Sequence, residues 1–129
     1  MSLRTVWDRL TASQAELEAD DERLEVRRRG TQPVGQCRLR SRAEVSGVIR
    51  AVTFAPAAAG PALVAELYDG SGSLDLVWLG RREIPGIEPG RRLVAEGMIT
   101  AADFGRTHAT MFNPEYRLLP APDSAEANP

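Results

Sequence analysis

Two stretches of this chain alternate apolar and polar positions with the period of a half-buried strand, and only four residues separate them. Ala62-Leu63-Val64-Ala65-Glu66-Leu67-Tyr68 lies on one side and Ser73-Leu74-Asp75-Leu76-Val77-Trp78-Leu79 on the other. Successive side chains of a strand point to opposite faces. Leu63, Ala65 and Leu67 are therefore expected inside with Leu74, Leu76 and Trp78. Glu66, Tyr68 and Asp75 are expected outside, beside Val64, Val77 and Leu79. The link, Asp69-Gly70-Ser71-Gly72, carries the Asp-Gly pair that tight hairpins favour, because glycine accepts a positive φ. The pattern predicts a hairpin at the centre of a small β-barrel.

The rest of the chain is read around that hairpin. The first thirty residues have helical spacing. Ser2 or Thr5 is a cap for a short helix presenting Leu3, Val6, Trp7 and Leu10, and Ser13 with Glu16 fits a capping box opening a second helix from about Gln14 to Arg28. The apolar face of that second helix is thin, with Leu17, Leu24 and alanines, which suits light packing on a barrel or pairing with another chain. Arg27, Arg28 and Arg29 suit the C-terminal end of the helix dipole. Residues 31–41 read as a linker, with Cys37 expected to be buried as a small hydrophobe. A long first strand runs from Ala43 to Phe54, with a bend or bulge at Gly47. An uncharged Ala/Gly/Pro loop follows, then the hairpin, then a Pro/Gly-rich connection over 80–90 that is too broken for a long helix. A fourth strand runs from Arg91 to Ile99, bent at Gly97, and a fifth from about Thr107 to Phe112. Residues 113–119 follow the barrel edge, and 120–129 read as a polar, disordered tail. The chain thus divides into a helical arm (1–30), a linker (31–41), a barrel (42–119) and a tail.

Composition narrows the class. With 129 residues, 43% hydrophobic and 26% charged, the chain can build one modest core. The single cysteine rules out an intramolecular disulfide and suits a reducing compartment. No apolar run approaches the roughly 20 residues of a membrane span, and the N-terminus has no signal-peptide core, so a cytoplasmic protein is expected. Net charge is −2, without the positive excess of a high-affinity nucleic-acid binder. Every one of the 16 basic residues is arginine. That fits phosphate recognition by the guanidinium fork, and it also fits a GC-rich coding bias.

Five strands, a central hairpin and a connection between the third and fourth strands follow the order of an OB-fold, an all-β five-stranded Greek-key barrel, here with an N-terminal helical arm. Val45-Ser46-Gly47-Val48-Ile49, Leu67 to Leu74 with its Asp-Gly-Ser-Gly turn, Pro89-Gly90 into Val94-Ala95-Glu96-Gly97, and Met111-Phe112-Asn113-Pro114-Glu115-Tyr116 carry a resemblance. Over 42–119 they resemble OB-type nucleic-acid-binding domains, in particular the wedge domain of RecG-type branch-migration helicases, and small stand-alone actinobacterial OB-fold proteins. The resemblance implies binding of single-stranded or branched DNA, or RNA, on the face of the second and third strands, in the service of DNA repair or recombination. There is no P-loop, so any remodelling activity would belong to a partner.

Such binding needs aromatic planes for stacking and arginines for phosphates. Tyr68, Phe54 and Phe104 are the candidate planes; Arg50, Arg81, Arg82, Arg91, Arg92 and Arg106 are the candidate phosphate contacts. Trp78, in phase with Leu74 and Leu76, is assigned to the core, and Phe54 and Phe112 fit barrel plugs as well as base contacts. Glu66 and Asp75 place carboxylates on the same face. His108 is expected on the surface. One histidine and one cysteine make no ordinary zinc site, no nucleophile motif is present, and neither enzyme activity nor a cofactor is expected. The alternative is a protein-interaction or dimerisation module. It would use the N-terminal helices and one exposed apolar patch of Val64, Val77, Leu79, Leu17 and Leu24.

Overall fold

The computed structural model describes residues 3–57, 60–102 and 107–120, with backbone alone for 3–9, 56 and 57. One helix, α1 (Leu3–Arg29), precedes six strands: β1 (Arg42–Ala57), β2 (Gly60–Tyr68), β3 (Ser73–Leu79), β4 (Arg92–Thr100), β5 (Thr110–Phe112) and β6 (Glu115–Leu118). The fold is mostly β, with the helix at its N-terminal end.

Helix α1 is one piece, not two. Nothing between Leu3 and Arg29 is Gly or Pro, and the Thr11-Ala12-Ser13 stretch costs a helix only a few tenths of a kcal/mol per residue. Ser13 is therefore an interior residue and the expected capping box is not used. The helix ends where expected: Gly30 has φ 75° and donates to the carbonyl of Val26 at 3.0 Å.

Five strands close into a ring. Antiparallel pairs join β1 to β2, β2 to β3, β4 to β5 and β4 to β1, and one parallel pair joins β3 to β5. Strand β1 closes the ring by serving two neighbours. Arg42 to Val48 pair with β4, and Val48 to Ala57 pair with β2. At the crossover the chains come too close for any side chain: a Cβ on Gly47 would stand 2.3 Å from the carbonyl oxygen of Tyr68. The bulge itself falls three residues later, between Ile49 and Ala51, where Arg50 is left without a partner on β2. At Gly97 the β1–β4 register runs on without a bulge, while β4 changes neighbours on its other edge, from β6 up to Glu96 to β5 from Ile99.

The fifth strand is shorter than expected. Asn113 takes φ 46°, donates its backbone N–H to Val77 O at 2.6 Å and accepts the Leu79 N–H on its side chain at 3.0 Å. This break separates β5 from β6, which then pairs with the first half of β4 from Leu93 to Glu96.

The six residues expected inside the hairpin all lie in the core, joined by Val45, Ile49, Leu93, Ala95, Ile99 and Met111. Trp78 is 6% exposed, a core residue with the Tyr116 ring edge-on at 5.5 Å. The end of the ring is plugged by Ile84 and Ile87 from the β3–β4 connection, while Phe54 and Phe112 remain exposed. On the outer face Val64 and Val77 are each 5% exposed and pack with Ala62 and Ala55. Val64 and Val77 therefore belong to no exposed patch, while Leu79, Leu17 and Leu24 remain exposed.

Residues 31–41 are docked. Gln32 and Arg40 donate backbone N–H groups to Glu44 O and Ile99 O at 2.8 and 2.7 Å. Val34–Gln36 form a single 3-10 turn, and Cys37 is half-buried against the core. Among the described residues no helix is long and apolar enough to cross a membrane.

Candidate functional site

The turn of the hairpin is the structural centre. Tight reversal after Tyr68 puts Asp69 where its carboxylate accepts the backbone N–H groups of Ser71 and Gly72 and the Ser71 hydroxyl, at 2.9, 3.2 and 2.7 Å. Its second oxygen accepts the Val34 N–H at 2.7 Å, and Gly35 N donates to Ser71 Oγ at 2.9 Å. Gly70, with φ 88°, lies directly under α1: a Cβ there would stand 2.2 Å from Ala19 O. The sequence reading saw a turn here and missed its use as a dock for the helix and the 3-10 turn. Only the Asx-type bonding was open to local reasoning.

The sequence candidates divide into three groups. Arg50 and Tyr68 come together: the bulge turns Arg50 out of the β1–β2 ladder, and its guanidinium carbon lies 3.3 Å from the centre of the Tyr68 ring. Phe54 and Arg82 form a second, looser pair at 5.8 Å, next to the exposed Arg81. Phe54 is paired with Leu63, five residues from Tyr68 on β2. The two pairs therefore lie about 17 Å apart along the ribbon and on opposite faces of it. Arg91 and Arg92 belong to neither pair. Arg91 Nε donates to Leu119 O at 3.1 Å, and Arg92 forms an ion pair with the buried Glu22 of α1. Both arginines hold the molecule together. Phe104 and Arg106 lie outside the described residues.

The outer face of β2 and β3 carries a further cluster. Asp75 is buried opposite Glu66, and His108 Nδ1 lies 3.3 Å from Asp75 Oδ1 and 4.0 Å from Glu66 Oε1. His108, expected on the surface, is thus half-buried between two carboxylates, because the parallel β3–β5 pairing brings the chain before Thr110 alongside Asp75. No sequence signal links His108 to either acid. Among the described residues no group of three His, Cys, Asp or Glu side chains is placed to hold a metal ion.

Among the described residues, two side chains have shifted proton affinities. Burial lowers the pKa of Arg29, opposed by Glu25 and Glu22 and assisted by Arg92; its guanidinium donates to Ser46 Oγ at 2.8 Å. Burial also raises the pKa of the Cys37 thiol, and the nearby negative charge of Asp69 adds to the rise. Cys37 is therefore a poor nucleophile.

Comparison of the chain with protein-family models, curated proteins and solved structures returns no match.

Proposed function

We propose that the chain is an OB-type barrel that binds single-stranded nucleic acid without catalysing a reaction, with Arg50 and Tyr68 as its primary contact. The ring order β1-β2-β3-β5-β4, with β3 and β5 parallel, supports the OB assignment, in which strands 2 and 3 and the loops beside them meet the ligand. The observation that carries the reading is the guanidinium of Arg50 lying on the ring of Tyr68 on that outer face. Two neighbouring strands thus place together a cation for phosphate, from β1, and an aromatic plane on which a base can stack, from β2. Phe54, Arg81 and Arg82 form a second contact at the far end of the ribbon. Glu66 and Asp75 lie on the outer face with Tyr68, which favours weak and salt-sensitive binding over tight binding. The resemblance to helicase wedge domains extends the proposal to branched DNA and to an accessory role in repair or recombination.

Fluorescence anisotropy of labelled single-stranded DNA, single-stranded RNA and a forked duplex tests it. Saturable binding that weakens with added salt is expected, and the preferred probe identifies the substrate. Tyr68→Ala is expected to weaken binding about 5- to 150-fold, the equivalent of one lost base stack. Arg50→Ala is expected to weaken it and to reduce its salt dependence. Absence of saturable binding to all three probes at low salt overturns the proposal.

A further inference from the structure

Helix α1 is 27 residues long, about 40 Å, and from Leu10 onward it meets the ring only in its C-terminal part. Ala19, Glu22 and Val26 are buried there, whereas every residue from Leu10 to Glu18 is exposed. Leu10, Leu17 and Leu24 are 60%, 63% and 45% exposed and stand seven residues apart. Leu3, the first helical residue, continues the same spacing in the sequence. At 3.6 residues per turn these leucines lie roughly 180° around the helix from the buried face. Spacing of seven is the repeat of a helix–helix seam.

We infer that this leucine file is a dimer interface, occupied by α1 of a second copy of the same chain running antiparallel. Charge selects the orientation. Residues 3–13 contain Arg4, Asp8 and Arg9, net +1. Residues 14–24 contain Glu16, Glu18, Asp20, Asp21, Glu22 and Arg23, net −4, or −3 with Glu22 set aside for its bond to Arg92. Parallel pairing lays the acidic segment against its own copy. Antiparallel pairing lays the positive segment of each helix on the acidic segment of the other. The spacing is self-complementary in that arrangement: Leu3 falls level with the partner's Leu24, and Leu10 level with the partner's Leu17. A two-fold axis between Ser13 and Gln14 relates the copies, giving an isologous, closed contact. It also sends the two rings to opposite ends of the helix pair, so that they do not collide. The positions three residues before Leu17 and Leu24 are the polar Gln14 and Asp21. Over residues 14–24 the seam is therefore one leucine wide, while in the other half Val6, four residues before Leu10, falls in line with it by sequence spacing; micromolar self-association is expected.

Sedimentation equilibrium of the full chain from about 1 to about 200 µM tests the inference. The expected result is a reversible rise from 14.0 kDa to twice that mass. Leu10→Glu with Leu17→Glu is expected to raise the dissociation constant about 100-fold or more by placing charge in an apolar seam. Leu39→Glu, at an exposed leucine outside the helix, is expected to leave it unchanged, and denaturant midpoints of both variants check that they fold. Orientation is read from disulfide trapping in a Cys37→Ser background. Ser13→Cys beside the two-fold axis is expected to cross-link, and Leu24→Cys, which meets its own copy only in a parallel pair, is not. A chain that stays at 14.0 kDa throughout, a dimer indifferent to the double substitution, or trapping through Leu24→Cys overturns the inference. Nucleic-acid binding by a monomer, or a dimer that binds none, separates this outcome from that of the proposed function.

Discussion

At the scale of single residues, Asp69 matters most to the architecture. Its carboxylate accepts four hydrogen bonds, three from the turn it opens and one from Val34, 35 residues earlier. Buried bonds to a charged acceptor contribute more than neutral ones, and their loss leaves backbone N–H groups unpaired. Asp69→Ala is expected to destabilise the fold by about 2–3 kcal/mol, read as a lower urea midpoint with unchanged slope. Half of this residue was legible in the sequence. Asp-Gly between two alternating runs identifies the hairpin, because turn geometry is local chemistry. The Val34 bond is set by how the chain before the ring returns to it, and nothing within a few residues of Asp69 encodes that. Arg50 and Tyr68 are similar. Each was a candidate by residue type, but the bulge that brings them together lies where β1 passes from pairing with β4 to pairing with β2.

At the scale of elements, α1 and β1 show where local reading succeeds and fails. The end of α1 at Gly30 follows from glycine's access to the left-handed region. Its continuity through Ser13 follows from the absence of a breaker, which outweighs a serviceable but optional cap. Its attachment depends on side chains far away in sequence: Glu22 on Arg92, Arg29 on Ser46 and Ala19 over Gly70. Amide hydrogen exchange of the monomer is therefore expected to be fast from Leu10 to Glu18 and slow from Ala19 to Arg29. Glu22→Ala is expected to cost about 1–3 kcal/mol and to spread fast exchange into the second segment. Equal protection along the whole helix in dilute protein contradicts this account of its docking.

At the scale of the molecule, the ring and the arm are separable in energy but not at an arbitrary point. Over Leu10 to Glu18, removing residues 1–18 deletes only side chains that the ring leaves exposed, and the deletion is expected to change monomer stability by less than about 1 kcal/mol. Removing residues 1–30 exposes Ser46 and the hairpin turn and strands Arg92. That deletion is expected to cost about 2–4 kcal/mol in denaturant unfolding. The same scale explains why the candidate contacts among the described residues fall into separate groups. Sequence position gave each arginine a type and a neighbourhood, but Arg91 and Arg92 begin the strand that closes the ring, where bonds to Leu119 and Glu22 claim them.

By itself the sequence determined the first four strands, the inward and outward faces of the hairpin, the turn at Asp69 and the glycine end of the helix. Each depends on the period of apolar positions or on the dihedral freedom of one residue, and both act over a few residues. Only the tertiary structure decided which outward groups meet. It set Arg50 on Tyr68, His108 between Asp75 and Glu66, and Val64 with Val77 under cover, and it left Leu10, Leu17 and Leu24 in water. Those outcomes depend on ring closure and on the register of β3 against β5. Both are long-range choices, made by burying the whole core at once.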